Sequence, residues 1–183
     1  ADGYAALTLA DAAALRAAAP AKPVLLLEGV FAAAELAACA ELDLWPVLHC
    51  DEQLALWRAA PPARPVPVFV KFDSGMHRLG FPLAEHARVL AAVRALPGVG
   101  AVTLMTHFAQ ADEAVGVGWQ LDPFRAAVAG YGLPWSAANS AALLRHPGAI
   151  GDWARPGLML YGASPFAGVS AAELGLVPAM HFE

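Results

Sequence analysis

Four short stretches of this 183-residue chain gather side chains that could do chemistry. The first is Lys71-Phe72-Asp73-Ser74-Gly75-Met76-His77-Arg78-Leu79-Gly80-Phe81, at the end of the apolar run Val66–Phe72. A lysine inside an apolar strand is costly unless it is paired or modified. The turn behind it crowds Asp73, Ser74, Gly75, His77 and Arg78, so a structural ion pair of Asp73 with Lys71 or Arg78 is as good a reading as a functional site. The second is Thr106-His107-Phe108-Ala109-Gln110-Ala111-Asp112-Glu113, with His107 at the end of another apolar run. A lone histidine is more often structural. No carboxylate lies at ligand spacing from His107 or His49, so no metal site is expected. The third, Trp135-Ser136-Ala137-Ala138-Asn139-Ser140, runs from a strand into a helix start, where free N–H groups meet an anion and Ser140 could add a hydroxyl to a phosphate. Plain capping by Asn139 or Ser140 is compatible with that role. The fourth is Arg155-Pro156-Gly157-Leu158-Met159-Leu160-Tyr161-Gly162, in which Gly157 lets a ligand come close to the backbone.

The elements that must position these residues alternate. Strands are expected at Tyr4–Leu7, Val24–Leu27, Trp45–His49, Val66–Phe72, Val102–His107, Trp135–Ala138 and Leu158–Tyr161, each rich in β-formers or continuously apolar. Helices are expected between them. Thr8 caps Leu9–Ala19, Glu35–Leu42 follows, Asp51 caps Glu52–Ala60, and Pro82 opens Leu83–Ala95. Asp122 and Pro123 open Phe124–Ala129, and Asn139 or Ser140 opens Ala141–Arg145. This alternation argues an α/β fold with parallel strands, and the lack of a Gly-rich dinucleotide fingerprint favours a (β/α)8 barrel over an open sheet. About seven strands are present where a complete barrel has eight. Active sites of such barrels lie at the C-terminal strand ends, with phosphate held by the late loops, here around Ser140 and Gly157. The residues alone thus reach a barrel that binds a phosphorylated small molecule beside a lysine and two arginines.

Composition narrows the partners. The chain is 58% hydrophobic and 15% charged, with net charge −5. No basic block is present, so nucleic acid is not expected. No apolar run reaches the roughly 18 residues of a membrane span. Cys39 and Cys50 match neither a zinc pattern nor a disulfide framework and read as buried small hydrophobes in a reducing compartment.

Taken together, Lys71 to Gly80, Met105-Thr106-His107-Phe108-Ala109 with Ala111-Asp112-Glu113, Asn139-Ser140, and Arg155-Pro156-Gly157 with Tyr161-Gly162 resemble the alanine racemase family. Leu27-Glu28-Gly29 and Ala1-Asp2-Gly3 also fit. The resemblance implies a barrel that binds pyridoxal 5'-phosphate, followed by a β-rich domain, in a cytoplasmic homodimer that interconverts L- and D-alanine, for peptidoglycan supply or D-alanine breakdown. It implies that Arg155 faces the pyridine nitrogen, that Ser140 and the N–H groups of Gly157 and Leu158 hold the phosphate, and that Asn139 lines the pocket. Arg78 would reach the phenolic oxygen and the substrate carboxylate. Lys71 matches a position often carbamylated, which would hold Arg78, and His107 would orient a general-base tyrosine from the partner subunit. Ser136 stands where many members have a histidine that supports the pyridine-facing arginine.

Two groups that the resemblance requires are not matched. The only lysines are Lys22 and Lys71, and neither matches the Schiff-base lysine, which is expected on a strand upstream of Ala1. The catalytic tyrosine is expected in a domain that starts near Leu176. Residues 1–175 therefore read as an incomplete barrel and 176–183 as the start of the next domain, with Val177–Glu183 cut inside a strand. The chain by itself is expected to be inactive and poorly soluble. Competing readings are a non-catalytic barrel of cofactor homeostasis, a serine racemase of the same family, and a phosphate-binding barrel of unrelated chemistry.

Overall fold

A computed structural model of the chain describes residues 1–179. The chain divides into two compact units, Ala1–Phe72 with Arg78–Leu104, and Asp73–His77 with the chain from Met105 onward.

In the first unit, strands and helices alternate as β1 (Tyr4–Ala6), α1 (Leu9–Ala18), β2 (Val24–Leu26), α2 (Ala33–Leu42), β3 (Leu44–Leu48), α3 (Asp51–Ala59) and β4 (Val66–Asp73). After β5 (Phe81–Pro82) come a 3-10 turn over Leu83–Glu85, α4 (His86–Arg94) and β6 (Val99–Met105). β1, β2, β3 and β4 pair in that order and in parallel, β6 follows β4, and the short β5 pairs with β4. Parallel strands covered on both faces must be apolar throughout. β2 is buried at all three residues, and in β4 the run Val68–Phe72 is buried without a break. Gly100 lets β6 pass close to β4, because a Cβ there would lie 3.2 Å from the Pro67 nitrogen.

The helix ends follow local chemistry. The Thr8 hydroxyl accepts the Asp11 N–H at 3.1 Å and caps α1. The guanidinium of Arg16 donates to the carbonyls of Leu42 (2.7 Å), Lys22 (2.7 Å) and Asp43 (2.5 Å), so one cation satisfies the negative end of α2 and the loop before β2. Gln53, in the first turn of α3, accepts the His49 N–H (2.8 Å) and donates to the Glu28 carbonyl (3.1 Å).

In the second unit, β6 ends at Met105, and the Thr106 N–H donates to the Ser136 carbonyl of β7 (Trp135–Ser136). Ser136 bridges in parallel to Trp153. The helices are α5 (Gly118–Val128) and α6 (Ser140–Arg145), packed around Phe108, Leu121, Ala137, Ala138 and Ala142.

Three expectations are corrected. Leu158–Tyr161 is a 3-10 turn and not a strand: the Leu160 N–H bonds the Gly157 carbonyl and the Gly162 N–H that of Met159. A short apolar run does not distinguish the two by pattern, and here Leu158, Leu160 and Tyr161 are exposed instead of filling a sheet. Asp51 is the first residue of α3 and not its cap, because Arg88 grips its carboxylate in a bidentate pair at 2.9 and 3.1 Å. α5 begins at Gly118, upstream of Asp122, and holds Pro123 inside it, since Gln120 and Leu121 are buried and extend the helix toward its N-terminus. Residues 176–179 form no strand, and 180–183 lie outside the described residues. Among the described residues no helix is long and apolar enough to cross a membrane.

Arg16 generates the first prediction. Arg16→Met strands several carbonyls and should lower unfolding stability by about 2 kcal/mol. Arg16→Lys should recover little of it, because an ammonium cannot fork to carbonyls so far apart. Urea denaturation measures both, and an unchanged midpoint for Arg16→Met would contradict the role assigned to Arg16.

Candidate active site

The second unit is organised around Arg155. Its Nη2 donates to the Thr106 carbonyl at 2.7 Å and reaches His107 Nδ1 at 3.2 Å, and its Nη1 donates to the Ser136 hydroxyl. Its backbone N–H bonds the Ala138 carbonyl at 2.9 Å. No carboxylate lies within ion-pair distance of it among the described residues. Burial pushes the guanidinium down to about 10, which still leaves it cationic at neutral pH. A guanidinium has only donors. His107 Nδ1 must therefore be the acceptor, which leaves the proton of the neutral imidazole on Nε2. Ser136 completes the arrangement. Fully buried, it accepts from Arg155 and donates to the Trp153 carbonyl at 2.7 Å, so its one hydroxyl is used in both directions.

Beside this network the backbone turns around Ser140. Asn139 caps α6, its Oδ1 accepting the Ala142 N–H at 3.0 Å while its Nδ2 donates to the Phe108 carbonyl at 3.3 Å. This settles which of the two residues opens the helix. The Ser140 hydroxyl, which is buried, accepts the N–H of Gly157 at 3.0 Å and of Met159 at 3.3 Å. Among the described residues other than its chain neighbours, no heavy atom lies within 4 Å of where a Cβ on Gly157 would stand. Backbone donors converging on a hydroxyl suit a phosphate, which can accept from all of them. The turn over Leu158–Tyr161 serves this better than a strand, since it starts with its N–H groups grouped together.

The turn Asp73–His77 also belongs to this unit. The Asp73 carboxylate accepts the N–H of Gly75 (2.9 Å) and of His77 (3.0 Å) and pairs with His77 Nδ1 (2.9 Å). The ion pair that the sequence left open for Asp73 is made here with His77. Ser74 Oγ and Thr106 Oγ1 share a hydrogen bond of 2.7 Å. Gly75 has φ +135°, and a Cβ there would stand 2.3 Å from the Trp119 ring. Of the other expected site residues, Lys71 is buried near the end of β4 and Arg78 is exposed after the turn; both belong to the first unit. The structure therefore brings together His107, Asn139, Ser140, Arg155, Gly157 and Leu158.

Two residues escaped the sequence reading. Gln120 is wholly buried; its Oε1 accepts the Ala109 N–H at 2.8 Å and its Nε2 donates to the His107 carbonyl at 3.1 Å. Trp119 covers Gly75. Their signal was available only in retrospect: with α5 starting at Gly118, both fall in its first turn, as Gln53 does in α3.

Asp73 gives a pH-dependent prediction. Burial raises its carboxyl pKa, but the N–H bonds from His77 and Gly75 and the His77 side chain outweigh that and hold it below the ordinary carboxylate range. A carboxyl with a depressed folded value stabilises the fold above its unfolded value and loses that contribution as pH falls through the folded one. Asp73→Asn should therefore be less stable than the parent at neutral pH. The gap should close in acid, where the parent carboxyl is also neutral. Thermal unfolding against pH reads this, and a gap independent of pH would contradict it.

The chain is similar to known proteins over nearly its whole length. Residues 1–165 match the family model for the alanine racemase N-terminal domain. The alanine racemase of Thiobacillus denitrificans is 68% identical over 174 residues, covering 95% of this chain and 47% of that protein. That of Variovorax paradoxus is 47% identical over 182 residues, covering 98% of this chain and 50% of that protein. The crystal structure of the biosynthetic alanine racemase from Pseudomonas aeruginosa superposes with a TM-score of 0.91 at 44% identity, over 98% of this chain and 51% of that one. The alanine racemase structure from Acinetobacter baumannii superposes with a TM-score of 0.83 at 32% identity, over 97% of this chain and 54% of that one. The chain spans about half the length of the curated relatives it matches. Its α/β fold is the one expected, that of the N-terminal barrel over the length covered, and the chain belongs to the alanine racemase family.

Proposed function

We propose that the protein containing this chain is an alanine racemase that interconverts L- and D-alanine with pyridoxal 5'-phosphate. The observation that carries this reading is Arg155, a half-buried cation that has no carboxylate partner among the described residues and is bonded to His107 and Ser136, near Gly157. The residues present fit the cofactor. The Ser140 hydroxyl with the N–H groups of Gly157 and Leu158 would hold the phosphate, with Asn139 lining the pocket. Arg155 would face the pyridine nitrogen. Bound there, the cofactor supplies the electron sink that acidifies the hydrogen on the substrate Cα. Arg155 cannot take up a proton, so a pyridine nitrogen facing it would stay unprotonated and the sink would be weaker. That disfavours transamination and leaves racemisation.

The remaining roles concern the substrate and the proton. Arg78 would reach the phenolic oxygen and the substrate carboxylate. Lys71 is the position for carbamylation, and its burial supports this, because a carbamate replaces a buried cation with an anion able to hold Arg78. The Nε2–H of His107 would orient a general-base tyrosine from the partner subunit of a homodimer. Racemisation needs an acid/base on each face of the substrate, and neither Lys22 nor Lys71 sits where the family places its cofactor-holding lysine. We assign residues 1–175 to the cofactor-binding barrel and 176–183 to the start of the β-rich domain. The product would be D-alanine for peptidoglycan, or D-alanine would be degraded, in the cytoplasm.

The test uses the full-length protein loaded with pyridoxal phosphate and follows the change in chirality of L-alanine and L-serine. Turnover of alanine ahead of serine is expected; serine ahead of alanine would assign a serine racemase instead. Ser140→Ala should weaken cofactor binding about tenfold, the scale of one hydrogen bond to a charged group. The 183-residue chain by itself should show no turnover with added cofactor, and any such turnover would overturn the assignment of the missing lysine.

A further inference from the structure

We propose that Gln120 is a positioning residue for racemisation, acting through His107; this rests on the racemase reading above. After Met105 the chain leaves β6, and the stretch His107-Phe108-Ala109 loses the ladder that fixed it. The Gln120 amide takes the place of a neighbouring strand: one end donates to the His107 carbonyl (3.1 Å) and the other accepts the Ala109 N–H (2.8 Å). Gln120 is itself held. It is fully buried in the first turn of α5, with its N–H on the Val117 carbonyl at 3.1 Å, and a Cβ on Gly75 would lie 3.3 Å from its Cγ. The backbone of His107 is thus clamped from the α5 side while Arg155 fixes the ring through Nδ1. Two independent attachments, one on the backbone and one on the ring, define where Nε2–H points. A buried amide that satisfies both a donor and an acceptor is costly to replace by an apolar group, because both backbone partners are then stranded.

The experiment is a double-mutant cycle in the full-length holoenzyme. Gln120→Met should lower kcat for alanine about tenfold, the scale seen when a partner that orients a functional histidine is lost. Cofactor affinity should stay within about twofold, since the phosphate-binding groups are untouched. In a His107→Asn background the same substitution should cost less than about twofold, because the residue it acts through is gone. An equal cost in both backgrounds, or a loss explained wholly by released cofactor, would overturn the proposal. Gln120→Glu guards against a folding failure. It keeps the acceptor for Ala109 and removes the donor to His107, so amide hydrogen exchange over residues 105–110 should stay slow at Ala109 while kcat still falls. Full kcat in that variant would also overturn the proposal. Lack of alanine turnover in the unsubstituted protein defeats the racemase reading instead, and is seen before any substitution is made.

Discussion

A half-buried guanidinium with no carboxylate partner among the described residues is the constraint on which the second unit depends. Burying a cation is costly unless its donors find acceptors, and Arg155 meets neutral ones at Nη1 and Nη2: the Thr106 carbonyl, the Ser136 hydroxyl and His107 Nδ1. These acceptors leave the full positive charge in place to be used on something else. A carboxylate would have neutralised it. The end of β6 and the whole of β7 are arranged to supply them, and the Ser136 hydroxyl has a second partner in the Trp153 carbonyl so that it can present a lone pair to Arg155. The tautomer of His107 follows from its bond to Arg155.

A second theme is the use of side-chain amides where strands end. Parallel strands stop abruptly at their C-terminal ends, and the carbonyls and N–H groups just beyond must be satisfied somewhere. Gln53 answers His49 N–H and the Glu28 carbonyl; Gln120 answers Ala109 N–H and the His107 carbonyl; Asn139 caps its own helix and binds the Phe108 carbonyl. Each comes from the first turn or the cap of the helix that follows. The loops just beyond these strands are thereby held by hydrogen bonds of their own, and this is how a loop residue such as His107 can keep one geometry.

Much of this was legible in the sequence, for a physical reason. Strands covered on both faces are continuously apolar, so Val24–Leu26 and the core of Val66–Asp73 stand out, and Thr8 three residues before Asp11 marks a helix start by its chemistry. Ser140 and Gly157 stood out because the late loops of such folds hold phosphate, whereas a role for Arg155 came only from the family resemblance. Leu158–Tyr161 was misread because four apolar residues carry no period, and only the hydrogen bonds of the folded chain separate a turn from a strand. Asp51 was misread as a cap because the competing grip of Arg88 comes from 37 residues away. Gln120 was invisible because a glutamine near a helix start reads as a solvated polar residue, and nothing in its neighbours announces that it is wholly buried.

The account stands or falls on the proton arrangement that Arg155 imposes. Nitrogen-15 NMR of the full-length holoprotein, labelled at histidine and assigned with a His107 variant, reads that arrangement directly. His107 should carry its proton on Nε2, with Nδ1 showing the shift of a hydrogen-bond acceptor. A His107 protonated on Nδ1 would contradict that arrangement.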